Sequence, residues 1–233
     1  MTVGMLAPMQ VELQPIVEQL GLEDEGDGTS YHGEAGDVEV VAMLTTIGMA
    51  AGAEAARRIL ERDVDWVMVV GVAGGVDHQG VKIGDVVVPE VVLDRATGST
   101  YRPSPVGDIT ARGIVSCGDD LITDPEAIGK MEKDGVVAVE MESAAVASVC
   151  EEVGVPWSVF RGISDFADAG LVDAALFAMA NADGSADPEA MKRYFAENPE
   201  RAKVLAQLAH DTTLAVNNAA AAAIRACAAL SAR

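Results

Sequence analysis

Histidine, cysteine and aromatic residues are scarce in this chain of 233 residues: three His, three Cys and 4% aromatic. His32, His78 and His210 are scattered, with no His-Glu-x-x-His pair and no acid-rich loop of EF-hand spacing, so a metal site lacks its ligands. Cys117, Cys150 and Cys227 are odd in number and far apart, which fits small buried thiols in a reducing cytoplasm better than a disulfide framework. None has an evident His partner, and no Ser occupies a Gly-x-Ser-x-Gly elbow, so a covalent nucleophile has no support. Cations are also few. Lys and Arg total 16 against 37 Asp and Glu, a formal charge of -21, and such a surface repels a phosphate backbone, so nucleic acid is not expected as a partner. No basic leader precedes Thr2-Val3-Gly4-Met5-Leu6, and no apolar run reaches about 18 residues outside an Ala-rich tail, so the expectation is a soluble cytoplasmic protein without a membrane partner.

Half of the residues are apolar, enough for a full core, and the chain reads as one domain over residues 1–233. Thr2 to Leu6 reads as a buried strand, and Gln10 to Leu20 as an amphipathic helix with Glu12 in its first turn. Strands follow at Val38 to Leu44, Trp66 to Val70, Val81 to Val88, Gly113 to Ser116, Val136 to Val139 and Trp157 to Ile163. Helices are expected over Ala50 to Leu60, Met141 to Val153 and Glu200 to Ala232, the last opening on an Asn198-Pro199 cap, with helical character from Asp173 onward. This alternation predicts an α/β fold: three αβα layers around a central twisted, mostly parallel mixed sheet.

The Gly-rich turn Gly71-Val72-Ala73-Gly74-Gly75 has neither the dinucleotide fingerprint nor the Walker spacing, so NAD and ATP are not indicated and no cofactor is expected. Those glycines serve either close helix packing or the approach of a ligand to the main chain. Carboxylates are the stronger signal. Glu12 follows the first strand, Glu140 and Glu142 lie at a strand-to-helix junction, and Asp165 follows the last strand beside Ser164 and Arg161. Such junctions are where open α/β sheets bind ligands. Taken singly, Glu12 is an ordinary first-turn acid and Asp165 a partner for Arg161; taken together they suit acid/base chemistry, with burial raising Asp165 enough to hold a proton.

In their order, Glu12, the Gly-rich turn, Glu140-Met141-Glu142 and Arg161-Gly162-Ile163-Ser164-Asp165 resemble the nucleoside phosphorylase/nucleosidase family. The resemblance implies a nucleoside phosphorylase-like fold, a homodimer, and hydrolysis of the N-glycosidic bond of a purine nucleoside such as 5′-methylthioadenosine or S-adenosylhomocysteine. It implies that Asp165 protonates the base with Ser164 orienting it, that Glu142 grips the ribose hydroxyls with Met141 packed on the sugar, and that Glu12 activates water close to Arg161. Ile47, Val72, Leu121 and Ile122 are implied as further substrate contacts. Ala7-Pro8-Met9-Gln10-Val11-Glu12 stands where the related phosphorylases carry a Gly-Asp-Pro-x-Arg type of segment, and a carboxylate facing phosphate repels it. A phosphate-dependent phosphorylase and a non-catalytic nucleoside binder are the alternatives. The chain departs from the family pattern at Val72, at Leu121 in place of a base-stacking aromatic, and in a short segment between Val88 and Gly113. It also carries an extra stretch, Leu171 to Asn198. There Phe177, Met179, Met191, Tyr194 and Phe195 are expected as helix core, with a cover over the base as the sharper alternative.

Overall fold

The computed structural model describes residues 1–172, 174–181 and 183–231; Asp173 and Ala232 lie outside the described residues. Strand β1 (Thr2–Ala7) leads into helix α1 (Gln10–Leu20), followed by β2 (Glu23–Asp24), β3 (Ser30–Ala35), β4 (Val38–Leu44), α2 (Met49–Leu60) and β5 (Trp66–Gly75). Then come β6 (Val86–Val87), β7 (Val91–Asp94), β8 (Thr100–Tyr101), β9 (Ile114–Cys117), α3 (Pro125–Lys133), β10 (Val136–Glu140), α4 (Ser143–Val153) and β11 (Trp157–Phe166). Helices α5 (Ala174–Phe177), α6 (Pro188–Glu197) and α7 (Arg201–Leu230) complete the chain.

The sheet runs β2-β3-β4-β1-β5-β10-β9-β7-β8, with β11 on the other edge of β5 and β6 beyond it. Pairings of β1 with β4 and β5, of β11 with β5, and of β9 with β7 and β10 are parallel, so the sheet is mixed as expected. Period-two alternation sorts its side chains into two layers. Val3, Met5, Met68, Val70 and Phe160 face α1 and α7, whereas Leu6, Val67, Val69 and Val159 face α2 and α4. Both faces are therefore apolar, which is why these strands read as continuous hydrophobic runs.

Two expectations are corrected. Val81 to Val88 forms strand only at Val86–Val87, because Lys82 to Asp85 is a turn closed by Lys82 N–H donating to Asp85 (3.1 Å) and by Gly84 at φ 85°. Helix α7 begins at Arg201, not on an Asn198-Pro199 cap. Asn198 instead closes α6, its main-chain and side-chain N–H groups both donating to Tyr194 O. The Ala-rich helix is also used inside the protomer. Ala215, Ala219, Ala220, Ala222, Ala223 and Ala226 are buried, and a Cβ at Gly162 of β11 would strike the Ala215 backbone. By length and composition α7 is apolar enough to cross a membrane, but half of its apolar window is buried here.

Candidate active site

The site forms where the sheet is locally incomplete. Strand β1 pairs with β5 only as far as Val69, and β10 takes up the same strand at Gly74. Between them Val72 has no ladder partner on that edge, and its N–H donates to Glu12 Oε1 at 2.7 Å. The other carboxylate oxygen accepts from Met9 N–H at 2.7 Å, half of a capping box at the start of α1. A Cβ at Gly71 would overlap both the Glu12 carboxylate and Arg161 Nη1. That decides one glycine of the turn: Gly71 is required by close approach of the site's charged groups.

Glu140 ends β10 and turns its carboxylate onto the N–H groups of Glu142 (3.0 Å) and Ser143 (3.0 Å), and onto the Ser143 hydroxyl (3.0 Å). This anchor starts α4 at Ser143 rather than at Met141, leaving Met141 and Glu142 outside the helix and on the cavity wall. Arg161, 1% exposed, bonds through Nη2 to Glu140 and to Glu142 Oε2 (2.9 Å), and its Nη1 lies 4.0 Å from Glu12. Gly48 N–H donates to the second oxygen of Glu142 at 2.9 Å. Arg161 Nε has no partner, a rare condition for a buried donor. Beside Gly48, Thr46 holds φ 67°, strained for a β-branched residue, and Ile47 follows it onto the cavity wall.

Further along the strand that carries Arg161, β11 has a bulge between Ile163 and Asp165. Strict alternation would turn only one of Ser164 and Asp165 inward; the inserted residue lets both line the cavity. Ser164 Oγ donates to Asp165 Oδ1 at 2.6 Å.

A cavity of about 410 Å³ joins these walls, and Glu12, Ile47, Val72, Leu121, Ile122, Met141, Glu142, Arg161, Ser164 and Asp165 all line it. Burial dominates their protonation. It pushes Glu12 up to about 8, with Glu142 adding to the rise and Arg161 and the two N–H donors opposing it. Burial also pushes Glu142 up to about 7 against the pull of Arg161, with Glu140 adding to the rise. Asp165 is raised by burial, the Ser164 hydrogen bond working the other way. Glu140 differs: burial again works to raise it, but Arg161 and the hydrogen-bonding neighbours Cys117, Glu142 and Ser143 together hold it below the ordinary range. The site therefore offers carboxyls that keep protons near neutrality beside one that stays ionised.

Four further residues belong to the cavity or its frame. Glu140 fixes both α4 and Arg161, a task that only the start of α4 exposes. Arg95 donates to the carbonyls of Ser116 (2.9 Å), Gly118 (2.8 Å) and Asp120 (3.0 Å), holding the loop that presents Leu121 and Ile122. Asp119 Oδ1 accepts from Met49 N–H at 2.7 Å and ties that loop to α2. Met9 lines the cavity beside Glu12. In the extra stretch Phe177, Met179 and Met191 also line it, so the helix-core expectation fails for them; it holds for buried Tyr194.

The phosphorylase superfamily model matches residues 2–110 and 107–206. The chain belongs to that superfamily. A 5′-methylthioadenosine/S-adenosylhomocysteine nucleosidase from an Exiguobacterium species is 30% identical over 202 residues, covering 72% of this chain and 86% of the relative. Among solved structures, the nucleosidase of that name from Neisseria meningitidis, in complex with methylthio-immucillin-A, superposes with a TM-score of 0.71 at 23% identity over 96% of this chain and 97% of the other. Futalosine hydrolase of Helicobacter pylori gives 0.69 at 20% identity, with 94% of each chain covered. The superfamily fold is thus kept across substrates that differ, and this chain's own cavity residues must decide among them.

Proposed function

We propose that this protein hydrolyses the N-glycosidic bond of a purine nucleoside of the 5′-methylthioadenosine or S-adenosylhomocysteine kind. One observation carries this: Glu12, Glu142, Ser164 and Asp165, far apart in sequence, line one cavity, and burial shifts Asp165 toward its protonated form. Breaking the bond places negative charge on the departing base and positive charge on the sugar. Asp165 gives its proton to the base, Ser164 steering the carboxyl; Glu12, once it has released its own proton, takes one from water as the water oxygen bonds to the anomeric carbon. Glu142 accepts the ribose hydroxyls, and Met141 packs on the sugar. The negative carboxylates stabilise the cationic sugar as it forms.

Hydrolysis is favoured over phosphorolysis because Glu12 occupies the water side and Arg161 is already engaged by three glutamates, so a phosphate dianion finds repulsion and no spare cation there. The family resemblance further supports a single-domain protomer acting as a homodimer, and three buried free thiols suit a reducing cytoplasm. Incubation with methylthioadenosine in phosphate-free buffer is expected to release adenine and the free thioribose. Strict dependence on phosphate, with a sugar 1-phosphate as product, assigns the protein to the phosphorylases instead, and binding without base release makes it a nucleoside binder.

A further inference from the structure

The stretch between β11 and α7 covers the cavity and takes no part in the chemistry just described. One side chain ties its two ends: Arg201 donates to Gly170 O (3.2 Å), to Leu171 O (2.8 Å) and through Nε to the Tyr194 hydroxyl (3.0 Å). Its middle is tied across the cavity, where Gln10 N–H donates to Asp183 O at 3.1 Å and Gly184, at φ 77°, sits so close to Met9 that a Cβ would overlap it. The stretch therefore runs from the Asp165 end of the cavity to the α1 terminus that holds Glu12.

Leu176, Phe177, Met179 and Met191 face the cavity from this stretch, and among the described residues no charged side chain of it does. The cavity's two cations are engaged elsewhere, Arg161 by Glu140 and Glu142 and Arg95 by three main-chain carbonyls. With the base at Asp165 and the ribose hydroxyls at Glu142, the 5′ substituent has to leave toward Met9 and this apolar roof.

We propose that the described residues of this stretch (170–172, 174–181 and 183–198) form a substrate-selecting wall, supplied by the protomer itself, that accepts nucleosides with an uncharged apolar 5′ group and rejects those with an amino-acid tail. The proposal rests on the nucleoside-cleaving function above. An ammonium and a carboxylate pressed against the Phe, Leu and Met of this wall lose water without gaining a partner from it, and the cavity's remaining charged side chains, Asp120 among them, are acids that offer the tail carboxylate nothing. A thioether alkyl group loses little and gains contact with the Met sulfurs and the Phe177 ring.

The test is a comparison of kcat/KM for methylthioadenosine, S-adenosylhomocysteine and adenosine, with the same three ligands titrated calorimetrically. Wild-type protein is expected to prefer methylthioadenosine over S-adenosylhomocysteine by about 100-fold or more, and the Phe177→Ala/Met191→Ala double variant to reduce the preference for methylthioadenosine over adenosine by about tenfold. Equal handling of the two thioethers by wild type overturns the proposal. So does a variant that slows methylthioadenosine and adenosine alike, the mark of a merely structural wall. If no nucleoside is cleaved, the hydrolytic function falls, yet the calorimetric affinities still decide the wall: the same order of preference supports it and equal affinities refute it.

Discussion

Asp27 and Asp183 sit in exposed loops and accept hydrogen bonds from their own neighbours: Thr29 and Ser30 N–H groups for the first, the Ser185 hydroxyl and N–H for the second. These bonds hold both carboxyls below the ordinary range. Glu12 accepts two main-chain N–H groups of equal quality, at 2.7 Å each, and is nevertheless pushed up to about 8. The local bonding is alike; the difference is water. On the surface hydrogen bonds add to hydration, whereas in the cavity they replace it incompletely, and the lost hydration decides the protonation state. The chain carries acids in excess everywhere, and where the sheet opens between β1 and β10 burial raises Glu12, Glu142 and Asp165.

The largest expected effects come from removing the protons on which this contrast depends. Asp165→Asn keeps the shape of the carboxyl and loses the donated proton, so kcat should fall roughly 10²- to 10⁴-fold while nucleoside affinity by calorimetry stays within a few-fold. Glu12→Gln should act likewise. A variant Asp165→Asn with near-normal turnover would mean that the base is protonated from elsewhere or not at all.

Glu142 sharpens the comparison from the binding side. On the proposed reading Glu142 accepts the ribose hydroxyls and moves no proton in the reaction, so Glu142→Ala should raise KM for ribosides by about 10- to 100-fold, as expected for a hydrogen bond to a charged group. A 2′-deoxynucleoside should feel the substitution less than the riboside. Equal losses for both would point to disruption of the Arg161 cluster instead.

The acids were visible in the sequence because each follows an apolar run, and runs of Val, Met and Ile mark strands whether or not their pairing is known. Their convergence was not visible. It depends on β5 outlasting β1 before β10 joins it, a fact of register between segments far apart in the chain, and on the single-residue bulge at Ser164, which leaves no periodic trace. The spacing of Glu140 and Glu142 left open whether they share a face, as in a strand, or diverge at the junction; they diverge, the first capping the helix and the second staying outside it. Gly71 was ambiguous in sequence because a glycine records only that a side chain is unwelcome, not what stands in its place. The extra stretch misled through its helical spacing of Met and Phe, since apolar residues facing a ligand cavity and apolar residues facing a core have the same periodicity.

Stability against pH separates the two groups of acids at a few kcal/mol or less. Glu12 has its folded value raised from 4.5 to about 8. Between those limits the folded state holds a proton that the unfolded state has lost, so stability falls as pH rises across that window, and Glu142 contributes the same sign up to about 7. Urea melts of the ligand-free protein should show this decline, and Glu12→Gln should flatten its upper part. The slope is the decisive readout, because an amide keeps only one acceptor for the two N–H donors and so shifts stability by a constant at every pH. An unchanged slope would show that Glu12 is ionised in the empty cavity.

Salt should act on the surface acids alone, and by the smallest amount. With a formal charge of -21, carboxylates on the exterior repel one another across the folded molecule. The screening length shrinks from about 30 Å at 0.01 M to about 3 Å at 1 M salt, so added NaCl relieves that repulsion and the melting temperature should rise by several degrees, roughly 1 kcal/mol for a chain of this size. The pairs around Arg161 are buried, and charge interactions there are screened far less. The pH at which Glu12 titrates should consequently move by much less than the melting temperature implies for the surface. Measuring both in one salt series tests the contrast directly: a titration that shifts in step with the melting curve would place Glu12 in contact with bulk water, and a melting temperature indifferent to salt would leave the acidic exterior without energetic weight.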